Sequence, residues 1–200
     1  MSFYFEGPWY IVAAILLIIV LLIMKKKYKV NNVFLLFFSL FTIYLSLVAK
    51  YTLFPITIIP EIANRKLVLE YVNLVPFHLF SLKNAIGNII LTMPFGFLFP
   101  LVKIVQNKRT ILIWSILLPV IIEGLQFTIA IITGIPERLV DTTDIIFNCA
   151  GVLIGFSIFL VFTKVLNMGM CQKQDNKFDQ LLLYIIERNY FQKQKKEHLA

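Results

Sequence analysis

The chain has 200 residues, of which 59% are hydrophobic and only 15% charged, and its mean hydropathy is +0.83. That excess of apolar surface excludes an ordinary soluble domain and leaves no stretch for a separate one. The formal charge of +8 admits nucleic acid or an acidic membrane surface as partner; its distribution favours the membrane, and the sequence carries no nucleic-acid motif.

Several apolar runs approach or exceed the roughly 20 residues that cross a bilayer core. They predict an all-α fold, a polytopic membrane helix bundle of about five spans. The first run covers residues 8–24, PWYIVAAILLIIVLLIM, with Trp9 and Tyr10 as an interfacial anchor. Lys25, Lys26, Lys27 and Lys29 follow at once. A secretory leader carries its charge ahead of the apolar core, so this reversed order reads as a permanent span with its N-terminus outside. The second run, 33–54, holds Lys50 near its end, where the side chain can snorkel to the interface. Residues 55–83 form the longest loop, interrupted by Pro55 and Pro60. NLVPF at 73–77 is too short to span and reads as interfacial or folded back on the bundle, with His78 beside it at the interface.

The third run, 84–102, places Asn84, Asn88, Thr92 and Gly96 four residues apart. Pro94 and Gly96 are expected to bend or thin the helix near its middle, which neighbouring helices can accommodate. The fourth run, 110–132, carries Pro119, Glu123, Gln126, Ala130 and Thr133 at spacings of four, three, four, three. A short link, TGIPERLVD, holds Arg138 and leads to the fifth run, 143–163. There Asp141, Asp144, Asn148, Gly151 and Gly155 follow three, four, three, four. On a helix each set forms one stripe. Each helix is then apolar on most sides with one polar or small seam. Two cysteines complete the inventory: Cys149, a small core residue of the fifth run, and Cys171 in the tail. They form neither a disulfide framework nor a metal site.

The chain divides into a membrane bundle, 1–163, and a basic cytoplasmic tail, 164–200. Within the tail, FDQLLLYIIERNYF sets apolar residues at 178, 181, 182, 185 and 186. This is an amphipathic helix on the inner leaflet or a solvated tail with one helical turn. Orientation follows from Lys and Arg. With the N-terminus outside, the inner regions hold fourteen, at 25–29, 103–109 and 164–196, and the outer loops four, Arg65, Lys66, Lys83 and Arg138. This positive-inside asymmetry puts the C-terminus inside. Depth then follows from a rise of ~1.5 Å per residue. Glu123 lies roughly 13 Å, Gln126 about 9 Å, Asn148 about 8 Å and Asn88 roughly 6 Å below the outer helix ends. The polar groups thus occupy the outer half of the bilayer only, as a crater rather than a pore.

The ordered set Asn88…Pro94-Phe95-Gly96…Pro100, Glu123-x-x-Gln126, Arg138, Asp144, Asn148 and Gly151-x-x-x-Gly155 resembles the VanZ-like family. NLVPF matches the element ahead of it, and the resemblance spans roughly residues 40–163. It implies a small multi-spanning protein of the bacterial cell membrane. The family's founding member is associated with lowered sensitivity to teicoplanin, a glycopeptide acting at the outer face of the membrane. It also implies ligand-binding roles for Asn88, Glu123, Gln126, Arg138, Asp144 and Asn148. No cofactor and no metal is expected, and no catalytic residue is assigned.

Bland readings stand beside these. Glu123 with Gln126 can be a hydrogen-bonded clamp between helices, Arg138 with Asp144 a loop salt bridge, and the two glycines a packing surface. Intramembrane ionisable groups are nonetheless functional candidates. Three function classes result. The first is a non-catalytic protein that binds a membrane lipid, a lipid-linked or anionic envelope component, or a glycopeptide, with Arg138 holding an anionic group. The second is an intramembrane enzyme on a lipid-linked substrate, with Glu123 as acid or base. The third is a small lipid transporter, which the one-sided depth disfavours.

Overall fold

The computed structural model describes residues 2–78, 80–105, 107–137, 140–169 and 177–188. In chain order the elements are β1 (Ser2–Phe3), α1 (Pro8–Tyr28), α2 (Asn32–Leu53), β2 (Ile56–Thr57), a 3-10 turn (Pro60–Ile62), α3 (Arg65–Glu70) and β3 (Val72–Asn73). Then come α4 (Leu82–Val102), α5 (Lys108–Thr133), β4 (Val140–Asp141), α6 (Thr142–Gly169) and α7 (Lys177–Glu187). Five of the helices, α1, α2, α4, α5 and α6, are long and apolar enough to cross a membrane. This is the helical, five-span protein that the apolar runs predict. The fifth helix runs past Lys164 to Gly169, because a lysine marks the edge of the hydrocarbon and does not interrupt backbone hydrogen bonding.

Polar side chains start the helices. Asn31, Asn64, Ser81 and Asn107 each accept a backbone N–H in the first turn of the helix they precede. Gly134 ends α5 in the left-handed conformation, with φ 69°, and its carbonyl accepts the Asn64 N–H at 2.8 Å. The tight link after α5 is thereby fastened to the start of α3. Two short strand pairs secure the same end of the bundle. β1 runs antiparallel to β2, and β3 parallel to β4, with Asn73 opposite Asp141.

The central pair is α4 against α6. A Cβ added at Gly155 would strike the Met93 carbonyl, one at Gly151 the Thr92 hydroxyl, and one at Gly96 the Val152 carbonyl. The two backbones therefore touch, as small residues permit in lipid. Thr92, fully buried, donates across this contact to the Asn148 carbonyl at 2.8 Å. α4 remains continuous through Pro94 and Pro100. In the turn that Pro94 loosens, the Tyr44 hydroxyl of α2 donates to the Leu91 carbonyl at 2.8 Å.

Away from the polar end the core is aromatic. Phe95 stacks on Phe99 at 5.1 Å, and Trp114 lies against both. α7 docks on this region rather than standing off in solvent. Ile185 is buried in the core, Tyr184 stacks on Phe37 at 5.7 Å, and its hydroxyl donates to the Leu101 carbonyl at 2.7 Å. Of the five apolar tail positions, 181, 182, 185 and 186 are at least partly covered, and the side chain of Phe178 lies outside the described residues. α1 is the contrast. It has no buried residue, and Lys50 of α2 donates to the Tyr10 hydroxyl at 2.6 Å near its start.

Candidate functional site

The three seams meet at one end of the bundle. The start of α4, the end of α5 and the start of α6 lie on the same side: a short link joins α5 to α6, and β3, ahead of α4, pairs with β4, directly ahead of α6. Between them, and against the end of α2, is a cavity of about 650 Å³. Asn88, Glu123, Gln126, Asp144 and Asn148 all line it. Arg138, the sixth predicted position, lies outside the described residues.

α5 contributes Glu123 and Gln126. Glu123 is only 5% exposed. Its Oε2 accepts the Asp141 N–H at 3.4 Å, which links the middle of α5 to the strand that opens α6. Gln126 donates from Nε2 to the Thr52 carbonyl at 2.9 Å. That carbonyl is among the last four of α2, which have no partner within their own helix. Gln126 is therefore a clamp between α5 and α2 as well as a wall of the cavity.

α6 contributes Asp141, Asp144 and Asn148. Asp141 caps the helix, its Oδ1 accepting the Thr143 N–H at 2.7 Å. About two turns deeper, Asn148 is 1% exposed, and its Oδ1 makes no hydrogen bond. α4 contributes Asn84 at the rim and Asn88 below it. The Asn88 Nδ2 is also buried without a partner. Asp144 is near enough to interact with this amide electrostatically, but the contact falls short of a hydrogen bond. Both residues line the cavity, but these two atoms have almost no accessible surface and do not face its open space. Below them the cavity closes on Leu91 and Ile122, with Thr92 and Val152 fully buried.

Tyr51, Thr52, Ser81, Thr143 and Phe147 also line the cavity, and sequence reasoning did not mark them as site residues. Thr52 had a usable signal. Tyr44, Val48 and Thr52 recur every four residues, the same spacing that revealed the other seams. Phe147 had none, since an aromatic residue in a spanning helix looks the same whether it faces lipid or a cavity. The NLVPF segment does fold back on the bundle. The Phe77 N–H donates to Thr143 Oγ1 at 2.9 Å, and the Phe77 and Phe80 rings contact Phe147 at 6.1 and 5.9 Å. Cys149, beside Asn148, is a half-buried free thiol outside the cavity lining.

A five-span helix bundle with a polar cavity sunk into one end defines a polytopic membrane protein with a single-ended site. A family model described as VanZ/LLP1 matches residues 41–163, more than half of the chain, and the protein belongs to that family. Neither a curated protein nor a solved structure matches it.

Proposed function

We propose that the protein binds a lipid-linked component of the bacterial cell envelope in this cavity. Binding there changes how the cell responds to glycopeptide antibiotics such as teicoplanin. The observation that carries the reading is the convergence of five of the six sequence-selected residues on one cavity. The cavity lies at the end of the bundle opposite Lys25, Lys26, Lys27, Lys103 and Lys164. By the positive-inside rule that end faces outward, where glycopeptides and their lipid-linked targets meet. Arg138, which falls between α5 and α6 in the sequence, is the residue proposed to hold an anionic group of the ligand.

The test compares cells expressing wild-type protein with cells expressing Glu123→Gln or Arg138→Ala, each verified at normal membrane level. Loss of teicoplanin protection in both variants, with loss of a co-purifying lipid by mass spectrometry, supports binding. Unchanged protection and unchanged lipid content in both would reduce these residues to structural clamps. A second reading, an intramembrane enzyme, draws on the buried Glu123 carboxyl held at a fixed place in the cavity. It predicts that purified protein converts the co-purifying lipid on incubation.

A further inference from the structure

The charged groups of the cavity are unequally provided for. Glu123 accepts the Asp141 N–H, Asp141 accepts the Thr143 N–H, and Asp144 stands beside the Asn88 amide. Lys83 also lines the cavity and is exposed. Among the described residues it has neither a hydrogen bond nor an ion pair. It is the second residue of α4, a helix of 21 residues. At ~1.5 Å per residue that length matches a hydrocarbon core of ~30 Å. The first turn of α4 therefore stands at the headgroup level, where anionic lipids carry their phosphate. Leu82 in this turn, with Phe77 and Phe80 just ahead of it, is exposed, and the two rings touch Phe147 of the lining. Exposed apolar residues at the end of a membrane bundle sit in the interface beside lipid chains.

Gly87 lines the cavity one helical turn below Lys83, on the same face of α4. Gly96, Gly151 and Gly155 are each pressed against a neighbouring helix, but a Cβ added at Gly87 would meet nothing within 4 Å. Glycine weakens a helix interior, and here no protein atom occupies the space it leaves. Resting on the ligand-binding reading above, we infer that Lys83 and Gly87 form the entry wall of the site. Lys83 holds the phosphate of a lipid-borne ligand at the headgroup level, as a second cation beside the role proposed for Arg138. Gly87 leaves room for the group that the phosphate carries into the cavity. The volume of about 650 Å³ lies within the ~300–1,000 Å³ of ordinary ligand sites.

The experiment uses the purified full-length chain in neutral dodecyl maltoside micelles and native mass spectrometry. The probes are phosphatidylglycerol, a diacylglycerol of the same chains bearing one glucose, and soluble glycerol 3-phosphate as competitor. Phosphatidylglycerol should be retained in preference to the uncharged glucose lipid, and glycerol 3-phosphate should not displace it. Lys83→Gln should weaken its retention roughly fivefold, the effect of one solvent-accessible ion pair. Lys83→Arg should preserve retention. Lys66→Gln, at the same end but outside the lining, should leave it unchanged. Gly87→Leu, which meets no protein atom at its Cβ, should fold normally and abolish retention of both lipids. Unchanged retention by Lys83→Gln, with Gly87→Leu still blocking, would overturn the role of Lys83 and leave cavity binding intact. Equal losses in Lys83→Gln and Lys66→Gln would overturn it in favour of diffuse surface charge. Displacement by glycerol 3-phosphate would overturn the lipid source and assign the site to a soluble phosphate. Unchanged retention by Gly87→Leu, or retention of neither lipid by the wild type, would overturn both this inference and the ligand-binding reading.

Discussion

At Gly155 the α6 backbone lies against the Met93 carbonyl of α4, with no space for a side chain. Gly155→Val should therefore cost at least the ~1–3 kcal/mol typical of overpacking, since the obstacle is backbone that cannot rotate away. Gly124, on α5, has nothing within 4 Å of an added Cβ. Gly124→Ala should be neutral or stabilise by up to ~1 kcal/mol through helix propensity. Thermal unfolding of both variants in one detergent checks the contrast. Equal effects would mean that the α4–α6 contact is looser than described. The same contact places Thr92 under the floor of the cavity and sets how far Asn88 and Asn148 stand apart. In this bundle, residues without side chains position those with functional ones.

Among the elements, α7 behaves least as its polarity suggests. It is short, yet its Tyr184 hydroxyl satisfies Leu101, one of the last four carbonyls of α4. Arg188 lies over the Tyr184 ring at 4.7 Å. Burial pushes the Tyr184 hydroxyl above its ordinary pKa, with Arg188 pulling the other way. A group with a raised folded-state pKa stabilises fully below the unfolded value and loses that effect as pH climbs through the folded one. Docking of α7 should thus hold up to the ordinary tyrosine pKa of ~10 and weaken as pH rises from there to about 12. The difference in melting temperature between wild type and Tyr184→Phe should shrink over that interval. A constant difference would show that the hydroxyl does not hold α7 in place. α2 shows the opposite economy: one helix supplies Tyr44 to α4, Thr52 to α5 and Lys50 to α1.

For the whole molecule the governing feature is asymmetry. One end collects the starts of α4 and α6, both strand pairs and the cavity. The other collects the aromatic core, α7 and the lysines that follow α1 and α4. Labelling can verify the orientation that this division implies. In a background of Cys149→Ala and Cys171→Ser, an impermeant maleimide applied to intact cells should modify Ser81→Cys at the cavity mouth. Lys103→Cys should react only after permeabilisation. The reverse pattern would turn the cavity toward the cytoplasm and remove the proposed meeting with glycopeptides.

Five spans, their limits to within a few residues for the first four, and the inward-facing stripes were legible from sequence. Hydropathy and a spacing of three or four are local properties of an apolar helix, and lipid solvent leaves little else for such a chain to do. That five of the six selected residues would face one cavity was legible too, because a polar residue in hydrocarbon must turn toward its own kind. Tertiary structure decided what spacing cannot encode. It turned the Gln126 amide to the α2 terminus and left one amide group of Asn88 and one of Asn148 unpaired. It also brought Tyr51 and Phe147 to the lining and docked α7 on the core. Each depends on distances between helices that are far apart in the chain, and between α4 and α6 that distance is set by Gly96, Gly151 and Gly155 and the atoms they touch.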